Sequence, residues 1–321
     1  RRSIQLSYGR VSRKTLSFTT FTLFCQRGPL IFSPGEGKLF SMSGKDFELK
    51  LISEKDIFEQ LQFSAGSTLF LGKYTLKEIF LLMERLNLVK KANKFGFEEL
   101  KIELEAPDDF SQRLTIYNKF KNKENLIVDL LVKKENFCPD GEQRLFFGNS
   151  RLFFLVIEWL TLQNPRSGFG RERRQLPGQN HPGLGIRREL FILFRLLARD
   201  LGVDGIVAKP QFFHNAMMYR HLFQFLHPEK EGEFRAVYEK FIDQLGFADL
   251  SWAVYHNCIK YGILKKSYVW KWDSQIFPVR QRVLRYFESP QYLEKMQESR
   301  RRWTKVLKLS RSCLEKIEEI T

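Results

Sequence analysis

The segment Gln179-Asn-His-Pro-Gly-Leu-Gly-Ile-Arg-Arg188 is the part of the chain whose residue types and spacing best suit chemistry. Gly183 and Gly185 let backbone approach a ligand closely, and a helix opening behind them would offer unpaired amides and the positive end of its dipole. That combination favours a phosphate or pyrophosphate, and Arg187 and Arg188 add positive field. The same residues also suit a tight strand-to-helix turn with no ligand. Four of the five histidines (His181, His214, His221 and His227) lie close by in sequence. His214 and His221 stand seven residues apart, two turns along one helix face, too far to share a metal as an i, i+4 pair does. A metal would require His181 to fold back onto His214, so none is expected. His181 is instead a candidate base or substrate-orienting group, with packing or capping as the alternative.

Other reactive constellations fail on spacing. Gly66-Ser-Thr-Leu-Phe-Leu-Gly72-Lys73 imitates a phosphate-binding loop but has five intervening residues in place of four, and Tyr74 where Ser or Thr belongs. The sequence contains no GxSxG elbow, no HExxH and no CxxC pair. Cys258 lies beside His256, and neighbours two apart on one helix cannot face each other. The four cysteines (Cys25, Cys138, Cys258, Cys313) are widely separated. We expect no zinc ribbon, no disulfide partner, and a reducing, cytoplasmic setting.

The elements that must position these residues follow from periodicity. Thr75-Leu-Lys-Glu78 is a capping box, and Ile79, Met83, Leu86 and Val89 follow at helical spacing, which predicts a helix over 76–93. Before it, 46–61 reads as a strand and a short helix. Segments 100–105, 113–118 and 126–133 are strand-like, punctuated by turns such as Ala106-Pro-Asp-Asp109. Phe153–Leu162 is the most apolar strand candidate and should be central. A polar loop leads to a helix over 184–201 with the stripe Ile186, Leu190, Leu193, Leu197 and with Gly202 as its stop. A strand over 203–208, a helix over 213–223 and a short strand ending at 227–228 complete this part. Helices are expected at 230–245, 247–259, 278–287 and 291–318, with a strand-like stretch at 268–272.

Within this order, Pro182-Gly-Leu-Gly-Ile-Arg-Arg-Glu-Leu190 resembles the acyl-CoA signature of the GNAT-type N-acyltransferase superfamily, an (Arg/Gln)-x-x-Gly-x-(Gly/Ala) turn opening a helix. Asp204-Gly-Ile-Val-Ala208 resembles the next strand of that fold. Asn215-Ala-Met-Met-Tyr219 with Phe223-Gln-Phe225 resembles its Asn-x-x-Ala-x-x-x-Tyr helix and closing strand at shorter spacing. Gln179 lies one residue too far from Gly183 for the pattern, and Pro182 stands where Arg is usual. The run Leu176–Gly185 also resembles that of uncharacterised bacterial proteins, which implies nothing about substrate.

The resemblance, over about 151–228, implies an α/β (α+β) fold with a GNAT-like mixed central sheet flanked by helices. It implies acetyl-CoA or another acyl-CoA as co-substrate and an amine acceptor, small molecule or peptide. The amides around Gly183, Leu184, Gly185 and Ile186, helped by Arg187, would hold the pyrophosphate, and Asn215 would contact the pantetheine arm. Glu158 would be the general base and Tyr219 the acid for the departing thiolate. A carboxylate in an apolar strand is expected to have a raised pKa. Glu158 equally suits a strand-end charge or a pair with an arginine of the 166–174 loop, and Tyr219 suits half-buried packing.

Of 321 residues, 53 are Lys or Arg and 37 Asp or Glu, for a net charge of +16. Residues 1–45 contribute +7 and 260–321 contribute +8, leaving a body of +1. The expected organisation is a poorly ordered basic extension over 1–45, an α/β core over 46–228 and a helical basic region over 229–321. The low acid content of 1–25 is that of a transit peptide. No apolar run is long enough to span a membrane as a helix. The segment 291–318 carries Arg301, Lys305, Lys308 and Arg311 beside Trp303, Val306, Leu307, Leu314 and Ile317. It suits either a solvated basic face or contact with anionic membrane or RNA. A second functional expectation is therefore a non-catalytic GNAT-like protein that binds nucleic acid or anionic membrane through its basic ends.

Overall fold

The computed structural model describes residues 4–6, 69–310, 313 and 315. The expected strand and helix over 46–61 and most of the 1–45 extension lie outside these residues. The strands are β1 (Ile4–Leu6), β2 (Leu100–Glu105), β3 (Ser111–Asn118), β4 (Leu126–Phe137), β5 (Leu152–Leu162), β6 (Gly205–Ala208) and β7 (Gln224–Phe225). They continue with β8 (Ile259–Tyr261), β9 (Lys266–Ser267), β10 (Gln275–Pro278) and β11 (Leu307–Leu309). The α-helices are α1 (Leu76–Arg85), α2 (Leu88–Lys94), α3 (Gly141–Phe147), α4 (Arg187–Asp200), α5 (Phe213–Tyr219), α6 (Pro228–Tyr255), α7 (Gln281–Phe287) and α8 (Pro290–Val306).

The main sheet runs β2-β3-β4-β5-β6-β10-β7, with β1 beside β5, and a small sheet runs β11-β8-β9. Strands β2 to β5 form an antiparallel meander, β5 and β6 are parallel, and β10 lies antiparallel between β6 and β7. The fold is therefore mixed α/β, as the alternation of strands and helices predicts.

Strand β5 is central because it is buried on both faces. Leu155, Ile157, Leu160 and Leu162 pack in the cluster shared with α1 and α4, and Phe154 and Val156 pack in the cluster shared with α7 and α8. Such two-sided burial produces a continuous apolar run in place of strict alternation. Asp204, just before β6, is almost fully buried and is held by Arg282 of α7, with Nε to Oδ1 at 2.5 Å. It also accepts from the Phe153 amide at 2.8 Å. These contacts clamp the starts of β5 and β6 to α7.

Several expectations are corrected. The helix over 76–93 begins on the expected capping box, with the Glu78 amide donating to Thr75 Oγ1 at 3.2 Å, but breaks in two. Asn87, in the left-handed region at φ 57°, separates α1 from α2. By contrast, the two helices expected at 230–245 and 247–259 are both present as the two arms of α6, which breaks where expected, at the non-helical Gly246 with φ 74°. The C-terminal helix stops at Val306, because Leu307 takes up extended backbone and enters β11 to pair with Tyr261. No strand spans 268–272; the strand there is β10 at 275–278. The expectation that no cysteine has a disulfide partner is also corrected. Cys258 and Cys313, 55 residues apart in sequence, are bonded, with Cα atoms 5.4 Å apart.

Candidate functional site

The parallel pairing of β5 with β6 ends at Ile157 opposite Ala208. One residue later, the β4–β5 register slips: Leu131 faces Trp159, and Val132 faces Ile157. Glu158 is thus the extra residue of a β-bulge, a device that re-aims a side chain and ends pairing. Beyond the bulge, the edge of β5 at Leu160–Leu162 pairs in parallel with Ile4–Leu6. The β5–β6 pairing therefore stops at Ile157, near the carboxyl end of β6 where open α/β sheets take ligands, and β1 takes the place beside β5 beyond the bulge.

Loop 163–186 brings the glycine turn back to this edge. The Asn164 amide, two residues past β5, donates to the Pro182 carbonyl at 2.7 Å. The loop is fastened to α6 by Arg174 with Asp249 at 2.6 Å and by the Trp252 indole donating to Gln175 at 3.0 Å. Gly183 and Leu184 are buried, while Gly185 is exposed in the left-handed region at φ 65°, which only glycine adopts without strain. Helix α4 follows at Arg187 with Ile186 as its N-cap, and no side chain caps it. The amides of Arg187, Arg188 and Glu189 precede the first intrahelical bond, from Leu190 to Ile186 at 3.0 Å. The turn therefore presents uncapped amides beside two exposed arginines.

Arg187 turns toward α5 and donates to the Met218 carbonyl at 3.3 Å. Its guanidinium acts on neighbouring Tyr219, yet burial dominates and pushes the phenol well above its ordinary pKa. Tyr219 is thus a protonated, largely enclosed phenol that packs on Phe223 with ring centroids 5.2 Å apart.

One turn earlier on α5, Asn215 is wholly buried, and neither side-chain amide atom has a hydrogen-bond partner among the described residues. Gln275 of β10 is in the same condition. It lies opposite Ala208 of β6 and Phe225 of β7, at the carboxyl end of β6. Buried amides without partners are rare because each forfeits its hydration. Sequence reasoning missed Gln275, since a glutamine at the start of a four-residue strand carries no spacing signal.

Glu158 faces a different space, an open groove of about 390 Å³ lined by Asp108, Phe110, Ser111, Lys133, Lys134, Glu135, Asn136 and Glu158. Lys133 Nζ lies 3.2 Å from Glu158 Oε1, and Ser111 Oγ lies 3.5 Å from Oε2. The expected setting of a carboxylate sealed in an apolar strand is therefore replaced by a groove-facing ion pair. Lys133 also pairs with Glu135 at 2.8 Å, and its pKa is raised by Glu135 first and by Glu158 against burial.

His181 is half-buried in the loop. His214 is fully enclosed and stacks on Phe212 at 5.4 Å, and burial lowers its pKa to about 3, which keeps the ring neutral. Among the described residues, no group of three or more His, Cys, Asp or Glu side chains is arranged to hold a metal. The structure thus joins Gly183, Leu184, Gly185, Ile186, Arg187 and Tyr219 in one neighbourhood, with Asn215 one turn away on α5. Glu158 lies with the groove. No protein-family model matches the chain, and no curated protein sequence matches it.

Proposed function

We propose that the protein is a CoA-dependent N-acyltransferase that moves an acyl group from acyl-CoA to an amine by direct attack. The observation that carries this reading is the end of the β5–β6 pairing immediately before the bulge at Glu158, together with the uncapped start of α4 that follows the glycine turn. The order from strand through glycine turn, helix, strand, short helix to strand is that of the GNAT-type resemblance, and it supports the same reading.

In this scheme the amides from Gly183 to Arg187 hold the pyrophosphate, with the helix dipole and Arg187 opposing its charge. The buried amides of Asn215 and Gln275 suit the amide groups of a pantetheine arm, which would relieve their missing hydrogen bonds. The acceptor nitrogen attacks the thioester carbonyl carbon, and the C–N bond forms as the C–S bond breaks. The amine proton passes to Glu158, and Tyr219 gives its proton to the departing thiolate. An acceptor that arrives as an ammonium ion gives its first proton to solvent in the groove lined by Asp108, Lys133, Lys134, Glu135 and Glu158, and the neutral amine gives its second to Glu158 as it attacks.

The test is release of free CoA thiol from acetyl-CoA across a panel of small amines and amine-bearing peptides. Amine-dependent release that Glu158→Gln removes is the expected result. Release with no amine on the panel, or release unchanged in Glu158→Gln, would refute the assignment.

A further inference from the structure

The turn between β8 and β9 exposes two large aliphatic side chains at its tip. Ile263 is 99% exposed and Leu264 is 81% exposed. Neither serves the turn, whose left-handed positions are Gly262 at φ 71° and Lys265 at φ 49°. Hairpin tips ordinarily carry Gly, Asn or Asp, so two fully solvated aliphatics are a cost without a structural return.

Charge surrounds them. From Cys258 to Trp272 the sequence holds Lys260, Lys265, Lys266 and Lys271 and no acidic residue. Lys305 and Lys308 join them, because the Gly262 amide donates to the Val306 carbonyl at 3.2 Å and Lys308 stands opposite Lys260 across β8–β11. Among the described residues, Lys265, Lys266, Lys271, Lys305 and Lys308 make no ion pair. Like charges placed opposite each other on a sheet repel, so the Lys260–Lys308 pair holds positive charge beside the tip against the stability of the sheet.

The platform behind the tip is firm. Ile259 and Leu307 are fully buried, Tyr261 and Tyr268 pack on Trp303 at 5.3 and 5.8 Å, and the Tyr268 hydroxyl donates to Glu233 at 2.7 Å. The Cys258–Cys313 bond closes the base of β8, at the end away from the tip.

We propose that this hairpin docks on an anionic lipid surface, inserting Ile263 and Leu264 between headgroups while the six lysines meet the lipid charge. The chemistry selects this occupant. A second copy of the chain would set lysines against lysines. Single-stranded RNA would meet the lysines but find no planar side chain at the tip on which to stack a base. Aliphatic residues ringed by lysine suit the boundary between acyl chains and headgroups.

The test is co-sedimentation of the full chain with vesicles of pure phosphatidylcholine and of three parts phosphatidylcholine to one part phosphatidylglycerol, with poly-uridine RNA binding measured in parallel. The wild-type chain should bind the anionic vesicles and not the neutral ones. The doubly substituted Ile263→Ser, Leu264→Ser chain keeps the charge and should bind about tenfold or more weakly, since apolar burial is lost. The Lys265→Gln, Lys266→Gln chain should lose about fivefold per lysine. Circular dichroism of each variant checks that the fold is retained. Absence of binding to anionic vesicles would overturn the proposal. So would vesicle binding unchanged in the Ile263, Leu264 variant, or tight RNA binding without vesicle binding.

Discussion

Replacing Gln275 by Met removes the buried side-chain amide while keeping the length and approximate volume of the side chain. Gln275 is completely buried, and both of its amide atoms lack a hydrogen-bond partner among the described residues. A buried polar group without a partner costs about 1–3 kcal/mol, and a shape-conserving swap costs less than about 1.5 kcal/mol. Taking the two amide atoms at the low end of that cost and the swap well below its ceiling, Gln275→Met should stabilise the ligand-free protein by about 1–2 kcal/mol. At 2–4 °C per kcal/mol for a chain of roughly this size, the midpoint should rise by about 2–8 °C. The assay is thermal and urea unfolding of the two proteins without ligand, followed by calorimetric titration with CoA. If the amide serves the pantetheine arm, the same substitution should weaken CoA about tenfold, the worth of one hydrogen bond. A destabilised variant would refute the reasoning, because the amide would then be satisfied within the folded chain.

Lys133 holds Glu158 from 3.2 Å, so Lys133→Met should lower turnover at subsaturating amine while leaving CoA binding within about twofold; equal loss of both would place Lys133 in the CoA site instead. Gly232 lies where α6 crosses α8, and a Cβ there would fall 2.7 Å from the Arg300 amide nitrogen. Gly232→Ala should therefore destabilise by about 1–3 kcal/mol, read by urea denaturation, as overpacking against backbone does. The His227 ring sits 2.6 Å from Asp273, and that hydrogen bond raises its pKa against burial. A raised histidine pKa stabilises the fold below its ordinary value of about 6.5, and that contribution is lost as pH rises through the folded value. The His227 proton resonance should accordingly titrate above 6.5, and in Asp273→Asn it should fall back.

Much of the sheet is legible from local signals. Strands β2 to β5 announce themselves through β-branched and aromatic runs bounded by turns, and α1 through the reciprocal bonds of Thr75 and Glu78. Helix α4 and the turn before it follow from the Leu190, Leu193, Leu197 stripe and the paired glycines. The rest depends on long-range partners. β10 is four residues whose burial comes from lying between β6 and β7, and nothing in Gln275-Ile-Phe-Pro278 alone states that. The end of α8 at Val306 is set by pairing with Tyr261, because 307–318 continues a helix-compatible pattern. Cys258 and Cys313 are joined by the return of the chain past β8, which spacing cannot show. In the candidate site, the buried turn that opens α4 at Arg187 was readable from the paired glycines Gly183 and Gly185. The lysine partner of Glu158 was not, because Lys133 reaches it across β4 and β5, where sequence separation hides the contact. No described helix is long and apolar enough to cross a membrane, in keeping with the short apolar runs of the sequence.

The most direct test of the account is calorimetric titration of the full chain with acetyl-CoA and with CoA, repeated on Gly183→Val. The acyltransferase reading predicts micromolar binding of both ligands, reduced at least tenfold by the added side chain at the buried glycine, with the unfolding midpoint of the variant reported alongside. Wild-type protein that binds neither ligand at millimolar concentration would contradict it.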